Sequence, residues 1–444
     1  MLTVVAIFTL VLGYGAFQQG AVTVFDGMLA AAGVGMLACV YYGFIARLGT
    51  PPGSRLIFGL CVALTAWVAM QMIPLPFALV RLLSAHRAEL ETAVRGGQGW
   101  TTITVVPAET RIWLIRMGSF LLAMLISRDL AWRFPDRCGY LAIPVLVVAG
   151  GEAALGLVQF FSSSSAAGVA RGTYVNRDHF AGLLEMAIPL AVMSGVGIYR
   201  RGRKRFESSA KSAVLACGLF ALATAMLMAV VFSLSRMGFL AALFSLLFVG
   251  AVSSSSVLSK RLDTRLRWLP VGLISLAIIL TFVYLPTDEL IARFAQTGNE
   301  DLTADTRVLI WRESVEMVRH APWAGFGLGS YQSAFYAFKR VAPMSSVAHA
   351  HNDYLQAAAE LGILGMLPLL LIAGLAGKSA LESLGLPRET MQHYLGIGCA
   401  GSLFALMLHS LVDFNLYIPA NAMTLAWIAG MALGLNLAFR SSRT

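Results

Sequence analysis

The sequence predicts an all-α polytopic membrane protein, and three observations carry that prediction. Hydrophobic residues fill 58% of the 444 positions and charged residues only 13%, a balance that no water-soluble domain could solvate. Apolar runs of about 20 residues recur along the chain, each long enough to cross a hydrocarbon core of roughly 30 Å as a helix. Lys and Arg gather in alternate short connections between those runs, as the positive-inside rule requires. The formal charge of +10 would point to nucleic acid only if the basic residues shared a soluble face. They sit mostly between spans, where the positive-inside bias explains them more simply.

Apolar runs and their breaks give about twelve spans, at approximately 1–17, 25–46, 56–73, 110–127, 138–161, 179–199, 212–233, 237–257, 268–285, 353–376, 391–412 and 417–438. Leu2 to Phe17 has no basic residue before it and no small-x-small cleavage pattern, so it reads as a retained helix rather than a signal peptide. One alternating set of connections holds Arg47 and Arg55, then Arg128, Arg133 and Arg137, then the cluster from Arg200 to Arg205. The set continues with Lys260, Arg261, Arg265 and Arg267, then Lys378 and Arg388, then Arg440 and Arg443. The rule makes these cytoplasmic, with both termini inside.

The other face then receives 18–24, 74–109, 162–178, the Ser233–Met237 turn, 286–350 and the 412–417 turn. This divides the chain into nine spans over 1–285, an outer loop domain over 286–350, and three spans over 351–444. Residues 76–93 read as an interfacial helix with Arg81, Arg87, Glu89 and Glu91 facing water. Within the outer domain, Asp305 or Thr306 caps a helix running to about His320, with Val308, Trp311, Val315 and Val318 along one stripe. Pro322 and Gly325, Gly327 and Gly329 break it, and a second short helix from Ser330 to Arg340 is expected before Pro343. The glycines make tight turns, and the helix start after them could offer amides to a phosphate. Five lone cysteines with no C-x-x-C imply neither metal nor disulfide.

Chemistry collects on the outer face. Arg171 precedes Asn176, Arg177, Asp178 and His179 at the start of the sixth span. Arg236 sits in a turn too short to float free, and Arg307 lies one helical turn before Trp311. His349, His351 and Asn352 stand where the outer loop runs into the tenth span, and the eleventh ends in His409-Ser-Leu-Val-Asp413-Phe-Asn415. Three arginines on one side point to a polyanion, because guanidinium forks clamp phosphate and stay charged. Each alone would more simply snorkel or pair with a carboxylate. His349 and His351 are two apart, not the i, i+4 spacing of helical metal ligands, and neither H-E-x-x-H nor D-x-D occurs. No metal and no cofactor is therefore expected. A neutral histidine instead suits proton abstraction from a hydroxyl nucleophile. Glu152, Glu185 and Glu360 lie within spans and should face the interior with partners, either holding the arginines or marking an ion path. Asn352, Gln356 and Glu360, four apart, make one polar stripe.

The stretches "GTYVNRDHFAGLLEMAIPLA", "SLSRMGFLAA", "TRVLIWRESVEMVRHAPWAGFGLGSYQSAF", "HAHNDYLQAAAELGILG" and "HSLVDFNLYIPANA" stand in order from about 150 to 425. Together they resemble the O-antigen ligase and polymerase superfamily of bacterial envelope glycosyltransferases. The first four spans match in hydropathy only. The resemblance implies a GT-C-type membrane fold in the bacterial inner membrane with a periplasmic active site. It implies a glycan donor linked through diphosphate to undecaprenol, and metal-free, inverting transfer to an acceptor hydroxyl. The acceptor would be lipid A-core for a ligase or a second lipid-linked repeat unit for a polymerase. By motif, Arg236 and Arg307 would bind diphosphate, with Arg171 a weaker third, and His351 would activate the acceptor. His349, Asn352, Asn176, His179, Glu360 and Asp413 would support them. Many relatives carry N-R-N-H where this chain has Asn176-Arg-Asp178-His179. A flippase or transporter of lipid-linked oligosaccharide is the competing class. The gathering of ionisable residues at one face, rather than at the midplane, favours an enzyme.

Overall fold

The computed structural model describes residues 1–45, 49, 51–162, 168–204, 209–258, 304–340 and 346–441. The expected span 268–285, the basic residues Lys260 to Arg267, and the 286–303 part of the outer loop lie outside the described residues. So do Arg47, Arg205, Pro343 and Arg443.

The chain is helical almost throughout. Its helices are α1 Leu2–Phe17, α2 Val24–Val40, α3 Ser54–Met72, α4 Phe77–Leu83, α5 Ala85–Arg95, α6 Pro107–Arg133, α7 Ile143–Ser162, α8 Arg177–Lys204, α9 Ser209–Phe232 and α10 Arg236–Leu258. They continue with α11 Ala304–His320, α12 Tyr331–Phe335, α13 Asp353–Glu382, α14 Met391–His409 and α15 Pro419–Ser441. One antiparallel pair of two-residue strands, β1 Leu75–Pro76 and β2 Trp100–Thr101, ties the loop after α3 to the start of α6. Ten helices among the described residues are long and apolar enough to cross a membrane. The protein is thus an all-α, multi-pass membrane protein. Helix α1, at 16 residues, is shorter than those ten, yet Phe8 at its middle stacks on Trp427 of α15 with ring centroids 3.9 Å apart.

The outer segments share one end of the bundle, and the basic connections lie at the other. Thr173 Oγ1 donates to the Ala16 carbonyl, Thr104 N to Gln71 O, and Ala170 N to Phe232 O. At the opposite end Arg128 donates to Pro52 O and Arg133 to Gly49 O. Three expectations need correction here. The second outer helix is only Tyr331–Phe335, because turns follow it directly. Glu91 does not face water: it is buried and bonded to Arg87 at 2.9 Å, which also donates to Thr101. On α11 the buried face is Ile310, Ser314 and Met317, while Val308 and Val315 are exposed. Of the stripe read from the sequence, Trp311 and Val318 are half-buried, and Val318 packs on the Ile310–Met317 face.

A break in α13 locks the outer segment to the bundle. Gly362 adopts φ 61°, ψ −177°, and a Cβ there would lie 2.4 Å from the Trp323 carbonyl oxygen. Only glycine fits such a position. The interrupted helix leaves backbone groups to be satisfied, and in a membrane that must happen within the protein. Ile363 N and Leu364 N donate to the Pro322 and Trp323 carbonyls, while the Ala359 and Glu360 carbonyls accept from Phe326 N and Gly327 N. Gln71, buried on α3, closes the joint by donating to both Ala324 O and Glu360 O.

Candidate functional site

Five separate stretches meet at the end of the bundle opposite the basic connections. Asn352 caps α13, its Oδ1 accepting from Leu355 N at 2.9 Å while its Nδ2 donates to the Leu411 carbonyl. Asp353, buried beside it, accepts from Ser410 Oγ at 2.7 Å and from Leu416 N. These bonds clamp the turn 410–416 against the start of α13. Arg307 reaches the same turn from α11, donating from Nη1 to Val412 O at 3.1 Å; its Nε is buried with no hydrogen-bond partner among the described residues. One turn later, Trp311 donates from Nε1 to the carbonyls of Ala350 and His351, at 3.0 and 3.3 Å. The spacing of Arg307 and Trp311 thus lets one helix face hold both loops.

Phe414 is the centre of this end. Its ring is stacked against His349, centroids 4.0 Å apart and planes 11° from parallel. His351 meets it edge-on at 5.0 Å and His179 at 4.5 Å. Three imidazoles from two distant parts of the chain therefore share one aromatic ring. His351 sits at φ 50°, a left-handed conformation that costs an ordinary residue roughly 1–3 kcal/mol.

Below the ring runs a chain of buried charge. His179 Nε2 lies 3.6 Å from Asp413 Oδ1, and the other Asp413 oxygen lies 3.5 Å from His409 Nε2. His409 Nδ1 in turn is 2.9 Å from Glu185 Oε2 on α8. The groups pair one after another and do not converge on a point as metal ligands would. Burial alone would raise the Asp413 carboxyl, but the neighbouring His179 and His409 hold it well below the usual carboxylate range. His349 moves the other way: burial, with His351 and His179 nearby, lowers its pKa to about 4.

The acids within spans do face the interior, and their bonds go to backbone and neutral groups as well as to histidine. Glu152 accepts from the Thr173 amide and hydroxyl and so fixes the loop after Arg171. Glu360 accepts from Gly329 N, Tyr331 N and Tyr417 Oη. The amides that the glycine turns could have offered to phosphate are thus taken by Glu360. All three glycines have positive φ, as tight turns require.

Asn176 caps α8, its Oδ1 accepting from Asp178 N at 2.8 Å. The next turns of α8 are pressed from two sides. A Cβ on Gly182 would lie 2.1 Å from Asn415 Oδ1, and one on Gly238 would lie 2.4 Å from Ala181 Cβ. The turn carrying Arg236 is therefore set against the same two helical turns that carry His179. Arg236 itself is exposed, just after Leu234 at φ 58°. Arg171 is exposed on the loop whose Ala170 amide bonds Phe232 O, which brings it beside that turn. An apolar cavity of about 200 Å³ lies inward of Tyr417, among Trp113, Met117, Leu361 and Leu425.

Sequence reasoning missed Phe414, Gln356 and the Glu185–His409 pair as a unit. Phe414 had one signal, its place between Asp413 and Asn415. Gln356 stood in the noted stripe but without a role.

Residues 220–370 match the family described as O-Antigen ligase, which supports the likeness to the O-antigen ligase and polymerase superfamily. The match contains Arg236, Arg307, His349, His351 and Glu360, while the Arg171–His179 and His409–Asn415 stretches fall outside it and are joined to it by the contacts above. No curated protein matches the chain significantly.

Proposed function

We propose that this protein is an O-antigen ligase-like glycosyltransferase of the bacterial inner membrane. It moves a glycan from undecaprenyl diphosphate to an acceptor hydroxyl, of lipid A-core or a similar glycan, at the periplasmic face. The observation that carries the reading is the gathering, at one end of an apolar bundle, of His349 and His351 on Phe414, of Arg307 on the turn that carries Phe414, and of the Arg236 turn against the helix that carries His179.

In this reading the anomeric carbon loses its bond to the diphosphate oxygen and gains one to the acceptor oxygen from the opposite face. His351 takes the acceptor's proton. Undecaprenyl diphosphate leaves with its charge held by Arg236 and Arg307, with Arg171 at the margin. Charge stabilisation comes from arginine, so no metal is required. Membrane lipid surrounds the bundle, and the apolar cavity inward of Tyr417 offers room for part of the donor's prenyl chain. The arrangement fits a GT-C-like enzyme of about twelve spans with 286–350 as its outer domain.

The test is incubation of the purified protein with a defined undecaprenyl-diphosphate glycan, with and without lipid A-core. Glycosylated core supports a ligase, and longer glycan chains indicate a polymerase instead. The absence of both products rules out the enzyme reading. His351→Ala should lower turnover by about 10²–10⁴-fold with donor binding nearly intact. Arg307→Ala should weaken both, and Arg307→Lys should restore only part, because an ammonium keeps the charge and loses the fork. Activity lost in EDTA and restored by magnesium would overturn the arginine clamp.

A further inference from the structure

Which nitrogen of His349 carries its proton follows from two contacts. Ala350 N, a group that only donates, points at Gln356 Oε1 at 3.0 Å. That contact fixes which end of the Gln356 amide is oxygen. Its Nε2 therefore faces His349 Nδ1, at 3.2 Å, and donates to it. With Nδ1 accepting, a neutral His349 holds its proton on Nε2.

We propose, building on the glycosyltransferase reading, that His349 acts as a neutral imidazole donating a hydrogen bond from Nε2–H to a substrate oxygen, with Gln356 as the positioning residue that fixes this tautomer. The two histidines then divide the work. His351 accepts a proton, and His349 supplies a fixed donor to oxygen that gains charge or must be oriented.

The surroundings of His349 favour the neutral state. Phe414 covers one ring face and Tyr417 lies tilted at 5.6 Å. The titratable groups facing it are His351 from its own loop, His179 from α8 and Asp413 from the turn before α15. Two of these are histidines, and an imidazolium would also set an Nδ1–H against the Gln356 NH₂. Asp413 opposes them, but it is already shared between His179 and His409.

The test reads the tautomer without needing the reaction. Protein with ¹⁵N-labelled histidine is reconstituted in bilayers, and its solid-state NMR spectrum is compared with that of His349→Gln. The signal that disappears should be a neutral ring with bare Nδ1 and protonated Nε2, unchanged from neutral pH down to about pH 5, above its pKa of about 4. A protonated Nδ1, or an imidazolium at neutral pH, overturns the proposal. Gln356→Glu puts a carboxylate oxygen at Nδ1 and should move the proton there; an unchanged tautomer also overturns it.

Turnover adds a second arm. An amide can replace an N–H donor but not a base, so His349→Gln should retain about tenfold more activity than His349→Ala. Equal losses overturn the donor role. A loss read in donor Kd assigns the oxygen to the donor, and one read in acceptor KM assigns it to the acceptor. If the wild type transfers no glycan, the function fails while the NMR result still decides the tautomer.

Discussion

Trp311→Phe isolates the support beneath the base. The indole N–H donates to the carbonyls of Ala350 and His351, and His351 holds φ 50°. A net hydrogen bond contributes about 0.5–1.5 kcal/mol, and a left-handed non-glycine residue costs about 1–3 kcal/mol. The two are of one size, so losing the indole bond should leave the poised conformation no longer dominant. A loss of about 1–1.4 kcal/mol in the reactive arrangement lowers turnover about five- to tenfold. Phenylalanine keeps most of the ring's apolar contact, so the fold should survive. Donor affinity should hardly change, because Arg307 keeps its bond to Val412 O and Arg236 stands on another element. Single-turnover transfer at saturating donor, with a separate donor titration, separates the two. Unchanged turnover would refute the idea that Trp311 holds His351, and an equal loss in donor affinity would place its role in binding.

Breaking the Glu185–His409 pair, 2.9 Å apart and fully buried, should cost about 3–5 kcal/mol in Glu185→Leu. Glu185→Leu with His409→Leu should cost less than the single change, since His409 is no longer left without Glu185 and Asp413 keeps His179; a thermal melt in detergent showing the double variant worse would contradict the pairing. Because His349 is depressed from 6.5 to about 4, its neutral form stabilises the fold fully above pH 6.5 and that contribution is lost as pH falls toward 4. His349→Gln should flatten the acid side of the stability profile in that window, and an unaltered profile would argue against burial of a neutral ring. For sidedness, Val175→Cys and Glu389→Cys, both exposed and at opposite ends of the bundle, should react with an impermeant thiol reagent from opposite sides of the membrane. Labelling of both from one side would break the assigned orientation.

The helices were legible because each is a long apolar run with a marked end, such as Thr23 capping α2 through Asp26 N or Asn352 capping α13. Partners were not. An acid inside a span announces that it needs one, but nothing in the local sequence says that Glu360 will take the amides of Gly329 and Tyr331, or Glu185 the ring of His409. The stripe on α11 misled because periodicity finds apolar faces without ranking them. Val308 and Val315 satisfy it as well as Ile310 and Met317, and only the tertiary fold decides which face is covered. Phe414 was hidden for a related reason: an aromatic residue beside an apolar run carries no sign of the three imidazoles that will meet it.

The motifs lie far apart in sequence yet act as one site because each is held by the backbone of the next. Trp311 holds 350 and 351, Arg307 holds Val412, Asn352 holds Leu411, and Asp353 holds Leu416. Asn421 completes the circuit by donating to the carbonyl of His179 and to Asn415 Oδ1. Side chain-to-backbone bonds of this kind fix loop positions. A loop end in a low-dielectric setting must satisfy its carbonyls somewhere. Here the polar residues that satisfy them also assemble the candidate site, so truncating Asn352 or Asp353 should disturb the placement of His351 as well as the start of α13.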